Sequence, residues 1–292
     1  MNPPAYDLYR EKNPSLDLAR DRLEIDVCVQ HNNGGLAVDC WWQSTALTGF
    51  FPVGEAAGAH GVYRPGGAAL NSTQVGSMRA AQWIAARRQG EPLDMTAFAA
   101  VATPAVENAG AFLAHAGARI ADGDPDNTGV LLARAQRLMS ERAGLVRSAQ
   151  GVRDALRRVR AMLTGLSDRM VVDLSSRRSV DRLFLLRDIL TSQFVYLSAI
   201  DDYLRRGGVS RGSVLYTDAA GLLPEEGLPE SMRYVLDDGA LDEQVQEVAL
   251  RYGADGEVAV EAAWRPRRPI PDTGDDFFEN VWRDFREDGG VR

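Results

Sequence analysis

The chain has 292 residues, 45% hydrophobic and 25% charged, enough for one large or two modest domains and too apolar for disorder or a fibrous repeat. Asp and Glu outnumber Lys and Arg by 41 to 33, for a net charge of −8. The arginines are spread among acidic neighbours, which argues against the basic stripe of a nucleic-acid surface.

Residues 1–22 are polar, with no apolar core of the kind a signal peptide carries, and read as a helix or turn feeding a strand. Residues 23–30 (LEIDVCVQ) alternate and are β-branched, a strand signal. His31, Asn32, Asn33, Gly34 and Gly35 form a tight-turn cluster, and residues 36–42 (LAVDCWW) are a second strand candidate. Cys28 and Cys40 make neither a disulfide framework nor a CxxC metal site. In strand contexts both are expected to be buried free thiols, consistent with a reducing cytoplasm. Residues 50–53 (FFPV) read as a short buried strand ending at Gly54 and Glu55, followed by a glycine-dense stretch to Gly67. A helix is expected over 69–88, stopped by Gly90 and Pro92.

From about residue 93 the pattern is mostly helical. One long helix is expected over 127–166, where Leu131, Ala135, Leu138, Arg142, Leu145, Ala149, Val152, Leu156, Val159 and Leu163 recur every three or four residues, an apolar stripe interrupted by Arg142. The arginines at 157, 158 and 160 fall on other faces and read as a solvated surface. A second helix is expected over 180–206, ended by Gly207 and Gly208, and the two suggest an antiparallel pair within a bundle. His115 lies in an Ala-rich helical context and reads as structural. No apolar run is expected to span a membrane. Strands are expected over 244–250 and 257–264 around a turn at 253–256, and residues 277–286 (FFENVWRDFR) could form a short aromatic docking helix.

One region carries chemistry. Thr48, Gly49, Phe50, Phe51, Pro52, Val53, Gly54 and Glu55 are followed by His60, Gly61, Val62, Tyr63 and Arg64, then by Gly66 and Gly67 before a helix. This order of strand, Gly-Glu, His-Gly, Arg and helix resembles the fumarate reductase/succinate dehydrogenase flavoprotein family. His31 with Gly34 and Gly35 resembles the upstream His and Gly-Gly of that family. More loosely, residues 139–147 (MSERAGLVR) and Ser210, Arg211 and Gly212 resemble later landmarks.

The resemblance implies an FAD-dependent oxidoreductase that moves a hydride between a small-molecule substrate and the flavin. It implies FAD contacts from Gly54, Glu55, Gly66, Gly67, Ala69, Leu70 and Asn71, with His31, His60 and Arg64 as catalytic candidates on the substrate side and no metal. Three departures matter, one of them the short loop from Glu55 to His60. Only Asn32 and Asn33 separate His31 from Gly34, so either His31 or Gln30 faces the substrate. Ala68 and Ala69 stand where the family often has Asn-Ser, and Asn71 and Ser72 come later. The resemblance therefore extends to flavin binding rather than to a particular substrate.

No GxGxxG fingerprint for the ADP part of FAD occurs in the sequence, so the chain resembles the C-terminal portion of such an enzyme: a truncated product, or one half of a split enzyme, inactive alone. The expected fold is α+β and mostly α. Residues 1–92 would complete a Rossmann-like FAD-binding segment, with 1–22 closing a capping domain. Residues 93–236 would form a helical bundle, and 237–292 a β-hairpin and tail. Expected partners are a separate flavin-binding half or an electron-transfer subunit. The alternative is a non-catalytic helical interaction subunit with a vestigial flavin site.

Overall fold

The structure, a computed structural model, describes residues 3–15, 17, 20–21, 34–60, 68–87, 94–121, 123–212, 214–253 and 258–267. These form a mixed α/β fold of seven α-helices and two small two-stranded sheets. The chain divides into two compact units, Met1–Ala80 and Ala81–Arg292.

In the first unit α1 (Pro3–Lys12) opens on prolines, whose fixed φ suits a first helical turn. The strand expected over 23–30 lies outside the described residues. The strand expected over 36–42 does not form, and Cys40 is exposed in a turn instead of buried. Asp39 is the reason. Its Oδ1 accepts from the N–H groups of Trp41 (2.8 Å) and Gln43 (3.0 Å), which bends the chain back on itself. Only a single bridge, Val38 to Ser44, remains of the β signal. Residues 50–53 likewise form no strand but lead into a 3-10 turn, Gly54–Ala57. The Rossmann-like segment expected for residues 1–92 is thus not seen as a sheet among the described residues. The helix expected over 69–88 is present as α2 (Ala68–Arg87).

The second unit opens with α3 (Met95–Ala121), which contains Pro104. The single helix expected over 127–166 is broken. It is α4 (Thr128–Ala143), β1 (Val146–Ser148) and α5 (Ala149–Thr164), followed by the short α6 (Leu166–Arg169). Gly144 ends α4, and Ser148 starts α5 by accepting from the Gly151 N–H at 3.0 Å. The apolar period runs across the break because α4 and α5 both turn their stripes to one core.

The opposing stripe belongs to α7 (Arg177–Arg205), where Leu183, Leu186, Leu190 and Leu197 are fully buried against Val152 and Val159 of α5. Gly208 and Gly207 end α7 by donating to the carbonyls of Tyr203 (3.0 Å) and Leu204 (3.1 Å), as the sequence suggested. Arg157 and Arg158 pair with Asp154 on the surface. β2 (Leu215–Leu222), unforeseen in the sequence, pairs in parallel with β1 from Val146↔Leu215 to Ser148↔Thr217. β3 (Gln244–Tyr252) and β4 (Val258–Pro266) form the expected antiparallel hairpin, which lays Leu250, Val258 and Val260 on the core.

The short helix expected over 277–286 lies outside the described residues. Among the described residues two helices, Met95–Ile120 and Arg177–Arg205, are long and apolar enough to cross a membrane by length and composition, which corrects the expectation that no run approaches that length. In α7 the apolar residues build the core just described.

A polar clasp holds α4 to the segment before α7. Asp126 Oδ1 accepts from Thr128 N and Oγ1, and Oδ2 accepts from Asp173 N at 2.9 Å. The Asn127 side chain bridges Arg169 O and Val171 N. Burial pushes the Asp126 carboxyl up, but the donors from Asp173, Thr128 and Ser179 outweigh it and hold it below the usual range. Asp126→Ala is expected to cost about 2 kcal/mol of stability at neutral pH, read from the urea midpoint. Because the folded pKa is lowered, that contribution is present at neutral pH and lost as pH falls through the folded value. The two proteins should therefore converge in acid, and a constant gap down to about pH 3 would remove Asp126 from this role.

Candidate functional site

Of the residues singled out in the sequence, Gly54, His60 and Ala69 come together early in α2, within the first unit. Leu36 N donates to Ala56 O at 2.8 Å and draws the turn at Gly34 and Gly35 across the 3-10 turn. Gly58 sits there at φ +65, and a Cβ on it would collide with the Gly34 backbone, so two glycines make this crossing possible. Gly54, at φ +64, is buried with Thr73 of α2 so close that a Cβ would lie 2.8 Å from Thr73 Oγ1. Thr73 Oγ1 donates to Ala69 O at 2.7 Å and lies 3.4 Å from His60 Nε2. With its proton given to Ala69 O, the Thr73 hydroxyl can accept from His60 Nε2 in the tautomer that carries the proton there.

Gly54, His60 and Ala69 thus meet through Thr73. His60 is buried and turned toward α2. Glu55, Leu70 and Asn71 are exposed around the helix start, where the first backbone N–H groups have no helical acceptor. His31, Arg64, Gly66 and Gly67 lie outside the described residues. Among the described residues no group of three or more His, Cys, Asp or Glu side chains could hold a metal ion.

Sequence reasoning missed the side chains that clamp α2. Trp41 is buried beneath Arg79, whose guanidinium carbon stands 4.5 Å from the ring centroid and whose Nε donates to Cys40 O at 2.9 Å. Trp42, at φ +63, lays its ring on Gly76, where a Cβ would meet Trp42 Cε2 at 2.5 Å. A Trp pair followed by a mid-helix glycine was the available signal. Thr73 offered none.

In the second unit the looser landmarks serve structure. Arg147 donates to Gly144 O (2.7 Å) and Tyr216 Oη (3.0 Å), which ties the break after α4 to β2. Arg211 pairs with Asp237 and Asp242. Glu141, Arg142, Arg147, Ser148 and Thr217 line an open cleft of about 260 Å³. His115 is exposed, 3.8 Å from Asp168.

The fold is similar to that of E. coli quinol fumarate reductase FrdA, solved as a mutant. The TM-score is 0.56 at 18% identity, over 84% of this chain and 38% of that one. This chain therefore spans well under half of the protein it resembles, and the likeness is one of fold. No family model and no curated protein matches the sequence.

Proposed function

We propose that this chain forms the flavin-proximal C-terminal part of an FAD-dependent oxidoreductase acting on a small-molecule substrate. The observation that carries the reading is the packing of buried Gly54 on Thr73, early in α2, with the exposed Glu55 next in the chain. A carboxylate suits cofactor hydroxyls that donate, and a helix N-terminus suits negative charge. The fold similarity to a fumarate reductase supports the same reading. FAD, when bound, would supply hydride transfer.

The chain's own residues have simpler tasks. Glu55 accepts hydroxyl hydrogens. The start of α2, at Ala69, Leu70 and Asn71, lends partial positive charge, and Gly66 and Gly67 would let backbone approach a flat ring. Thr73 orients His60. Arg64, with His31 or Gln30, would hold the substrate, since a guanidinium can grip a carboxylate in bidentate fashion. The ADP moiety needs a further flavin-binding portion, either continuous with this chain or separate.

By itself the chain should purify colourless. Co-expressed with the N-terminal half of a related flavoprotein, it should co-purify with a flavin absorbance spectrum. Glu55→Ala should weaken FAD retention by about 1.5–3 kcal/mol, the cost of an unmade hydrogen bond to a charged group. Arg64→Ala should retain flavin and slow turnover. Absence of flavin in every pairing would overturn the proposal in favour of an interaction subunit.

A further inference from the structure

The break between α4 and α5 leaves a cleft of about 260 Å³ in the second unit, below the roughly 300–1,000 Å³ that drug-sized ligands occupy. Its walls come from the last turn of α4, from β1, from the first turn of α5 and from β2. Arg142 and Arg147 both line it, and neither spends its charge on a carboxylate of the protein among the described residues. The Arg142 fork makes no hydrogen bond there either, although its stem is held. Its Cδ lies 3.6 Å from the point a Cβ would occupy on Gly151, so the glycine gives the side chain a place against the first turn of α5. Arg147 is fixed by neutral groups. Its Nε donates to Gly144 O at 2.7 Å, its Nη1 donates to Tyr216 Oη at 3.0 Å, and its guanidinium carbon stands 5.6 Å from the Tyr216 ring centroid. Nη2 of Arg147 has no partner among the described residues.

The other polar groups complete a pattern. Ser148 Oγ accepts from Gly151 N at 3.0 Å and keeps its own proton to donate. Thr217 of β2 is half-buried in the same cleft. Glu141 lines it too, and pairs with neither arginine among the described residues. Two fixed cations therefore share a small cleft with donor hydroxyls and one carboxylate acceptor.

We propose that this cleft binds a small hydroxycarboxylate monoanion. A planar carboxylate matches the free fork of Arg142 and can take Nη2 of Arg147 and the Ser148 hydroxyl as further donors. The ligand's own hydroxyl donates to Glu141. A phosphate group suits the cleft less well, because it carries about −1.5 to −2 at neutral pH and Glu141 opposes the second charge. A carboxylate without a hydroxyl leaves Glu141 unanswered. The cleft lies in the second unit and uses none of the residues given to the flavin, so it stands or falls apart from that reading.

The test titrates the full chain with glycolate, and separately with acetate and inorganic phosphate, in a buffer free of other oxyanions. The amide resonances of Ser148 and Gly151 report occupancy. Glycolate should saturate them with a Kd of about 1 mM, and acetate and phosphate should each bind about tenfold more weakly. Arg142→Gln, at an exposed position, should weaken glycolate by about tenfold or more. Glu141→Gln should improve phosphate by about tenfold, since it removes the opposing charge. Acetate or phosphate binding as tightly as glycolate to the unaltered chain would overturn the assigned ligand. No saturable shift with glycolate up to about 50 mM, or an unchanged affinity in Arg142→Gln, would overturn the site.

Discussion

Replacing Asp202 with alanine is expected to cost the second unit about 3 kcal/mol at neutral pH and to release the β3–β4 hairpin from α7. Its side chain is only 10% exposed. Oδ2 accepts from Trp264 Nε1 at 2.7 Å and Gln246 Nε2 at 3.0 Å, so one carboxylate oxygen binds both strands of the hairpin. Arg205 and Arg206 supply charge at 3.4 and 3.5 Å, and the Arg206 guanidinium lies over the Trp264 ring. Removing the carboxylate takes the acceptor from the part-buried Trp264 Nε1 and leaves Gln246 Nε2 only the Ala199 carbonyl. Asp202→Asn keeps an acceptor but loses the charge, so it should cost about half as much.

The pH dependence follows from the same contacts. Burial alone would raise the Asp202 carboxyl, but the hydrogen bonds from Trp264 and Gln246 and the charges of Arg206 and Arg205 outweigh it and lower the pKa. A lowered folded pKa means the stabilisation is present above the unfolded carboxylate range, near about pH 3.9, and is lost as pH falls through the folded value. Urea titrations of wild type and Asp202→Asn should differ at neutral pH, and by less at about pH 3. An equal difference at both pH values would show that charge at this position is not what holds the hairpin.

Substituting alanine at Gly58 is expected to cost about 3 kcal/mol and to open the first unit around the candidate site. Two effects add: the left-handed backbone costs a side chain on the order of 1–2 kcal/mol, and the new Cβ collides with the Gly34 backbone, which has no flexible side chain to yield. The chain crossing would separate, and the Leu36 N–H, bonded to Ala56 O, should lose protection from exchange. Gly49 is the control. It has φ +77 with nothing within 4 Å of the point a Cβ would occupy. Gly49→Ala therefore carries only the backbone cost, about 1 kcal/mol. Hydrogen exchange at Leu36 and limited proteolysis over residues 34–60 would separate the two variants. Equal effects would mean that the Gly34–Gly58 crossing contributes nothing.

What the sequence determined by itself was mainly local. The apolar period that marks α7, the glycine pair that ends it, and the β3–β4 hairpin around its turn depend on side chains a few residues apart, so they were legible. The position of α2 and the gathering of Gly54 and His60 at its start were legible for the same reason, because glycines and a helix start follow one another closely in the chain. The rest depended on partners distant in sequence. The period over 127–166 reads as one helix because α4 and α5 share a core; the break at Gly144 becomes a strand only because Leu215–Leu222 returns to pair with it. The β-rich composition of LAVDCWW lost to the Asp39 carboxylate, which accepts from two backbone N–H groups. Thr73 and Gly76 acquired meaning only when folding brought His60 and Trp42 against α2. Tertiary structure decided these points because a hydrogen bond or close contact across dozens of residues leaves no periodic trace in the chain that makes it.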